Sequence, residues 1–270
     1  MIKVKQKKAL AFESMAAQFA QDFVAAVYTS VGNRVVADQH EGDWLQDVVE
    51  QSLDHSGMAD EQMKLASTRI EVNVAMDVSG SMFERWAGRP NVASAFIVRL
   101  LHRSFRIVEA ELPQSVFKFN IWLFAVAGGG RCCACLTSPD FGNYAVTSIH
   151  NCDSASVDAV LEGLGRSEPY YSGNGTRLQP WMDGVRKWEE VHGDPTAHKL
   201  DIVITDGLIH DADKVNATQN MRPGKLSAMM LVIGGDVNRN LLGFTSYNIN
   251  LFTLRDTIVA ELMAFVQRIY

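Results

Sequence analysis

The sequence has few cysteines, no long apolar run and no excess of basic residues, and each absence excludes a class of protein. Four cysteines in 270 residues are too few for the dense disulfide framework of small secreted domains. No run of about 18 or more uninterrupted apolar residues is present, so no transmembrane helix is predicted. The formal charge of -6 leaves no general basic face for phosphate, so we expect no nucleic-acid partner.

The cysteines are also unevenly placed. Cys132, Cys133 and Cys135 crowd into the segment RCCAC, and Cys152 follows at a distance. This arrangement lacks the paired C-x₂₋₄-C spacing of structural zinc sites, so zinc is disfavoured. Reduced thiols in a cytoplasmic protein are the default interpretation of so few cysteines.

The first residues combine a basic start, MIKVKQKK, with an apolar-leaning stretch that faintly resembles a signal peptide. Four polar residues interrupt the would-be apolar core: Glu13, Gln18, Gln21 and Asp22. Five apolar residues recur at steps of three and four: Phe12, Met15, Phe19, Phe23 and Val27. We therefore predict an amphipathic helix from about Lys8 to Ser30, whose stripe packs in a core rather than on a membrane surface or a partner.

The pattern of predicted helices and strands divides the chain into two regions. Residues 1–69 are predicted to be a helical extension, with further helices from about Asp43 and over residues 60–66. Residues 70–270 alternate strands and helices, which predicts an α/β fold with a doubly wound, mostly parallel sheet and helices on both faces. The predicted strands are Ile70–Met76, Val116–Phe124, an antiparallel edge at Arg131–Thr137, Leu200–Thr205, Ser227–Ile233 and Asn248–Leu254.

Three helices of the α/β region have a recognisable buried face. Pro90 is predicted to open the first, which uses Val92, Phe96, Leu100 and Leu101. Trp181, Val185 and Trp188 mark the second, and Ile258, Leu262, Phe265 and Ile269 mark the C-terminal helix.

The strand Ile70–Met76 is unusual because apolar residues alternate with Glu71 and Asn73. A parallel strand that is covered on both faces normally reads as a continuous apolar run. The alternation predicts that one face packs against polar groups, and the N-terminal extension is one candidate for that cover.

Oxygen-bearing side chains follow or lie near the predicted strand ends. Asp77, Ser79 and Ser81 come directly after the first strand, Thr176 lies in the glycine-rich segment YYSGNGT, and Asp206 follows LDIVIT. Carboxylates and hydroxyls are hard ligands that suit Mg²⁺ or Mn²⁺. In a doubly wound sheet, the carboxyl ends of the strands are where ligands bind, so a metal site is predicted there.

The D-x-S-x-S loop, the distal threonine and the distal aspartate together resemble the von Willebrand factor A (vWA) family and its metal-ion-dependent adhesion site. The resemblance covers roughly residues 68–270 and includes the G-T-x-L segment Gly175–Leu178. It implies that the hydroxyls of Ser79, Ser81 and Thr176 ligate the ion, while Asp77 and Asp206 act largely through waters. It also implies that a Glu or Asp of a partner protein completes the coordination shell.

Residues beside this loop are candidates for a partner-binding rim, because aromatic residues and arginine are favoured at interface hot spots. The candidates are Phe83, Arg85, Trp86, Tyr171 and His210. The alternative for Phe83 and Trp86, held equally open, is that they pack the loop onto the domain.

No catalytic constellation is visible, so we expect a protein that is not an enzyme. Phosphoryl-transfer enzymes of the haloacid dehalogenase type carry D-x-D after the first strand, whereas Ser79 stands at the second position here. No base and orienting group at a helpful spacing accompany a serine nucleophile. The G-x-x-x-x-G-K-[ST] phosphate loop of ATPases is absent too.

Four functions are compatible with these sequence features. The favoured one is a cytoplasmic, metal-dependent protein-binding module, in the manner of vWA proteins that work with a MoxR-type AAA+ ATPase. The alternative is a structural component of a larger assembly such as a phage virion, in which the metal site is stabilising or vestigial. Extracellular adhesion and metal-dependent catalysis rank below these two.

Overall fold

The computed structural model describes residues 10–27, 69–83, 90–111, 117–127, 130–135, 157–164, 176–207, 209–219, 226–234, 243–249 and 254–269. The helices predicted from Asp43 and over residues 60–66 lie outside these residues. The same holds for three of the rim candidates: Arg85, Trp86 and Tyr171.

Six strands of the described chain form one sheet in the order β3-β2-β1-β4-β5-β6. Their bounds are β1 Ile70–Asp77, β2 Phe117–Ala127, β3 Gly130–Cys135, β4 His198–Thr205, β5 Leu226–Ile233 and β6 Phe244–Ile249. Strands β2, β1, β4, β5 and β6 run parallel, and β3 pairs antiparallel with β2 at one edge. The predicted α/β fold with a mostly parallel sheet is confirmed, including its antiparallel edge strand.

Helices cover both faces of this sheet. Their bounds are α1 residues 10–27, α2 Pro90–Glu111, α3 Val157–Leu164, α4 Gln179–His192, α5 Ala212–Gln219 and α6 Leu254–Ile269, with a 3₁₀ turn at Gly80–Phe83. Helices α1, α2, α3 and α6 contribute to one apolar core, and α4 and α5 contribute to a second core on the opposite face. Strand side chains alternate between these two cores, as the period of a β-strand requires.

Buried polar groups explain the alternating sequence of β1, all eight residues of which are buried. The amide of Asn73 donates to Asp201 Oδ1 on β4 at 3.2 Å. Its oxygen accepts from Asn120 Nδ2 at 3.1 Å and from Trp122 Nε1 at 3.3 Å, both on β2. Because buried polar groups are costly without partners, the two neighbouring strands, β2 and β4, supply partners for Asn73.

Glu71 is partnered by groups from two other parts of the chain. Its Oε1 accepts the backbone N–H of Asp194 at 2.9 Å and lies 3.6 Å from Lys118 Nζ. Burial raises the pKa of the Glu71 carboxyl above its usual range, although the Asp194 N–H and the Lys118 charge oppose that rise. The polar cover of β1 therefore comes from the adjacent strands and from the turn before β4. The described helix of the N-terminal region, α1, packs into the core on the opposite face.

Helix α1 joins the main core through aromatic side chains. The ring of Phe23 lies 5.6 Å from that of Phe105 on α2 and 5.8 Å from that of Phe117 on β2. Phe19 makes an edge contact with Phe105 at 6.3 Å. The predicted core packing is confirmed for these residues, but Met15 is 39% exposed and does not share it. The predicted division of the chain after residue 69 stays a prediction.

Two further local predictions were wrong, and one helix was not predicted. The last strand is Phe244–Ile249 and not Asn248–Leu254; as an edge strand it exposes polar residues, so no apolar run marks it. Helix α5 was missed because its sequence, ADKVNATQ, carries little apolar periodicity. Val92 is 45% exposed, since α2 instead buries small residues that include Ser94 and Ala95.

The docking of α1 can be measured with Phe23→Ala. We expect a loss of about 3 to 5 kcal/mol in the free energy of unfolding, because a fully packed aromatic ring leaves a cavity between α2 and β2. Met15→Ala, on the exposed side of the same helix, is the matched control. Urea unfolding of both variants against the wild type measures the effect, and equal midpoints for the two variants would contradict this packing.

Candidate metal site

The candidate site lies where the order of the parallel strands reverses. Connections from β1 run outward to β2 on one side, while the later strands β4, β5 and β6 extend to the other. Asp77 is the last residue of β1, and Asp206 directly follows the last residue of its neighbour β4. Loops diverge at this switch point, which leaves a crevice between their first residues.

Asp77 is fully buried and connects three segments of the chain. Its Oδ1 accepts the backbone N–H of Ser79 at 2.8 Å, which closes the turn after β1. Its Oδ2 accepts the hydroxyl of Thr205, at the end of β4, at 2.7 Å and the hydroxyl of Thr176 at 3.2 Å. One carboxylate thus fixes the relative positions of all three segments.

The hydroxyls of the site form a contiguous group. Ser79 Oγ lies 3.1 Å from Ser81 Oγ and 3.3 Å from Thr176 Oγ1. The hydroxyl of Ser81 donates to Asp206 Oδ1 at 3.1 Å. All five residues predicted as the metal site are therefore linked in one hydrogen-bonded cluster, although they come from segments far apart in the sequence.

The donor set fits a small, hard divalent cation. Neighbouring ligands of an octahedral Mg²⁺ lie about 3.0 Å apart, as metal–oxygen bonds of about 2.1 Å require. The Ser79–Ser81 and Ser79–Thr176 oxygen pairs, at 3.1 and 3.3 Å, are close to that spacing. Among the described residues, no group of three or more His, Cys, Asp or Glu side chains could hold a metal ion.

The raised pKa of the Asp77 carboxyl also favours a bound cation. Burial raises the pKa of the Asp77 carboxyl to about 6, and the nearby Asp206 charge adds to the rise, while the Ser79 and Thr205 hydrogen bonds oppose it. A buried carboxylate beside a second carboxylate is stabilised by a positive charge. The residues present therefore favour a cation at this point.

Two residues that support the site were missed in the sequence. Thr205 bonds to Asp77, and its hydroxyl also accepts the Gly207 N–H at 3.3 Å. Asp211 accepts the N–H groups of Leu178 and Gln179 through its two carboxylate oxygens, at 2.9 and 3.0 Å. Thr205 stood beside a predicted site residue, so its position was a usable signal. The Asp211 contact spans more than thirty residues, and no local pattern marks it.

The rim candidates are only partly described. His210 is exposed, and its Nδ1 and its backbone N–H lie 3.2 and 3.0 Å from the carbonyl oxygen of Thr176. Phe83 ends the 3₁₀ turn, and its side chain is outside the described part, as are Arg85, Trp86 and Tyr171. The rim assignment therefore stays a prediction for all five residues.

Three of the four cysteines lie on one edge strand of the sheet. Cys132, Cys133 and Cys135 belong to β3, and Cys152 lies outside the described residues. Within the described residues, no helix is both long enough and apolar enough to cross a membrane.

No protein-family model and no curated protein matches the sequence. Solved structures do match. A von Willebrand factor type A structure from Catenulispora acidiphila is 17% identical over 75% of this chain and 43% of its own, with a TM-score of 0.45. Proximal thread matrix protein 1 from the mussel byssus, with a zinc-occupied MIDAS motif, is 16% identical over 74% of this chain and 48% of its own, with a TM-score of 0.49.

A third structure, the conserved hypothetical protein BatB from Bacteroides thetaiotaomicron, is 15% identical over 73% of this chain and 99% of its own, with a TM-score of 0.44. The chain thus spans less than half the length of the first two structures. Because all three TM-scores are below 0.5, the fold assignment rests on the strand order and not on these likenesses.

The raised pKa of Asp77 predicts how stability depends on pH in chelator. With a pKa of about 6 in the folded state against an ordinary 3.8, the folded protein holds this proton more tightly than the unfolded chain. The resulting stabilisation is complete below about pH 4 and is lost as the pH rises through about 6. We expect the free energy of unfolding of wild type, minus that of Asp77→Asn, to fall by on the order of 3 kcal/mol between pH 4 and 7.5.

Urea unfolding in chelator at a series of pH values measures this difference. The subtraction removes the contributions of the other carboxyl groups, which are shared by the two proteins. A difference that does not change with pH would show that the Asp77 carboxyl titrates normally.

Proposed function

We propose that this protein is a metal-ion-dependent protein-binding module that recognises an acidic group of a partner. The observation that carries the proposal is the convergence of Asp77, Ser79, Ser81, Thr176 and Asp206 into one cluster at the switch point of the sheet. The resemblance of these five residues to the adhesion site of vWA proteins supports the same conclusion.

Each residue has a role that follows from its position. The hydroxyls of Ser79, Ser81 and Thr176 are the proposed direct ligands of Mg²⁺ or Mn²⁺, since Ser79 Oγ lies close to octahedral ligand spacing from the other two oxygens. Asp77 and Asp206 hold those hydroxyls from one hydrogen bond away. The bound ion would supply a Lewis-acidic position for a carboxylate. With few anionic ligands bound directly, the charge of a partner Glu or Asp completes the neutralisation.

We propose that the protein is not an enzyme. Ser79 and Ser81 contact each other, Thr176 and Asp206, and these contacts include no imidazole that could act as a general base. His210 directs Nδ1 to a backbone carbonyl instead. We further propose a cytoplasmic location, no direct association with nucleic acid or membrane, and a MoxR-type AAA+ ATPase as the partner, all of which rest on the sequence pattern alone.

A structural component of a larger assembly, such as a virion, is the second candidate function. The observation that favours it is the number of contacts that Asp77 makes across three segments. A cation there would stabilise the fold whether or not a partner supplies a ligand. The two candidates predict the same metal binding and differ in whether chelation releases the partner.

Metal binding itself is expected to stabilise the wild type. Mg²⁺ at about one hundred times its dissociation constant should add about 2.7 kcal/mol to the free energy of unfolding, because only the folded chain assembles the site. Asp77→Ala should show no such gain, whereas Asp213→Ala, which removes an exposed carboxylate of α5, should behave as the wild type. Thermal and urea unfolding with and without Mg²⁺ measure this. Equal gains for wild type and Asp77→Ala would place the ion elsewhere.

Partner capture separates the two candidate functions. Tagged wild type, Asp77→Ala and Asp213→Ala are incubated with extract of the native cells in Mg²⁺ or in chelator, and bound proteins are quantified by mass spectrometry. The metal-dependent module predicts a partner that is retained by wild type and Asp213→Ala in Mg²⁺ and lost in the other conditions. The same partner retained in chelator and by Asp77→Ala would instead favour the structural role.

A further inference from the structure

Thr176 is the site hydroxyl whose position depends most on outside support. Ser79 and Ser81 lie in the tight turn directly after β1, and Asp206 directly follows β4. Residues 176–178 instead have no regular secondary structure and lead into α4. The position of a candidate metal ligand on such a segment depends on the contacts that hold the backbone of the segment in place.

The anchor is the segment that follows Asp206. Both carboxylate oxygens of Asp211 accept backbone N–H groups, from Leu178 at 2.9 Å and from Gln179 at 3.0 Å. The backbone N–H of His210 donates to the carbonyl oxygen of Thr176 at 3.0 Å. Thr176, Leu178 and Gln179 are thereby joined to the residues that lie four and five positions beyond Asp206.

The side chain of Asp211 is used in an unusual way. Asp211 stands at the start of α5, where its carbonyl oxygen accepts the N–H groups of Lys214 and Val215. An aspartate in that position ordinarily caps its own helix with its carboxylate. Here the carboxylate reaches α4 instead, whose N-cap residue, Leu178, provides no side-chain cap of its own. The neighbouring loop thus supplies a carboxylate to two N–H groups at the positive end of the α4 dipole.

We propose that Asp211 is a positioning residue that sets the metal affinity of the site by holding Thr176 in register with Asp206. This inference rests on the proposed function, since it concerns the same ion. Asp211 would not contact the ion itself; it holds the backbone that presents the Thr176 hydroxyl to Ser79 and Asp77. Supporting groups of this kind typically change metal affinity by about 10- to 100-fold when they are removed.

The experiment measures Mn²⁺ dissociation constants of the full chain by electron paramagnetic resonance, for wild type, Asp211→Ala, Asp211→Asn and the control Asp213→Ala. We expect about 10- to 100-fold weaker binding for Asp211→Ala and an intermediate loss for Asp211→Asn, whose amide oxygen keeps one acceptor. Asp213→Ala should stay within twofold of the wild type. In parallel, hydrogen exchange at the Leu178 and Gln179 amides should accelerate in Asp211→Ala and not in Asp213→Ala.

The outcomes separate this inference from the proposed function. No Mn²⁺ binding by the wild type would overturn both. Wild-type binding with an equal dissociation constant for Asp211→Ala, whatever its stability, would overturn the positioning role alone, because a purely structural cap lowers stability without changing affinity. If Asp211→Ala does not fold, Asp211→Asn decides: a weakened dissociation constant supports the proposal, and binding within twofold of the wild type overturns it.

Discussion

The buried carboxylate of Asp77 is the constraint on which the rest of the site depends. It accepts hydrogen bonds from the turn after β1, from the end of β4 and from the segment before α4. The same burial that makes these contacts strong also raises the cost of its charge, as its elevated pKa shows. A cation bound at such a site would offset this cost, and metal binding would then be linked to the folding of the chain.

The sheet also accommodates polar groups away from the site. On the face of β1 that carries Asp77, Asn73 and Glu71 continue toward the other end of the strand. Asn73 and the Oε1 atom of Glu71 are satisfied by groups from adjacent strands or from the turn before β4, which helps a strand with an unusual polar alternation to remain fully buried. The opposite face of β1 is apolar and packs in the core that includes α1 and α2. The polar residues of β1 thus help to define how it pairs with β2 and β4. If β1 shifted by one residue relative to these strands, its polar side chains would face the other side of the sheet and lose these hydrogen bonds.

The sequence predicted what depends on local pattern and missed what depends on contact between distant segments. The apolar runs of β4 and β5 marked central strands, and the D-x-S-x-S loop marked the end of β1, because these signals lie within a few residues. Thr176 and Asp206 were grouped with that loop because they lie near predicted strand ends, which meet at one edge of a parallel sheet, and the resemblance to a family pattern supported the grouping. Asp211 was out of reach, since its role exists only once two loops meet in space. Strand β6 was misplaced because an edge strand needs little apolar sequence.

We propose that three hydroxyls of this chain hold a divalent cation. Crystals grown with Mn²⁺ and measured at a wavelength where manganese scatters anomalously test it directly. We expect one strong anomalous peak within about 2.2 Å of the side-chain oxygens of Ser79, Ser81 and Thr176, with the carboxylates of Asp77 and Asp206 farther away. No peak at this cluster, at a Mn²⁺ concentration that fills other sites, would contradict it, as would a peak ligated directly by both carboxylates.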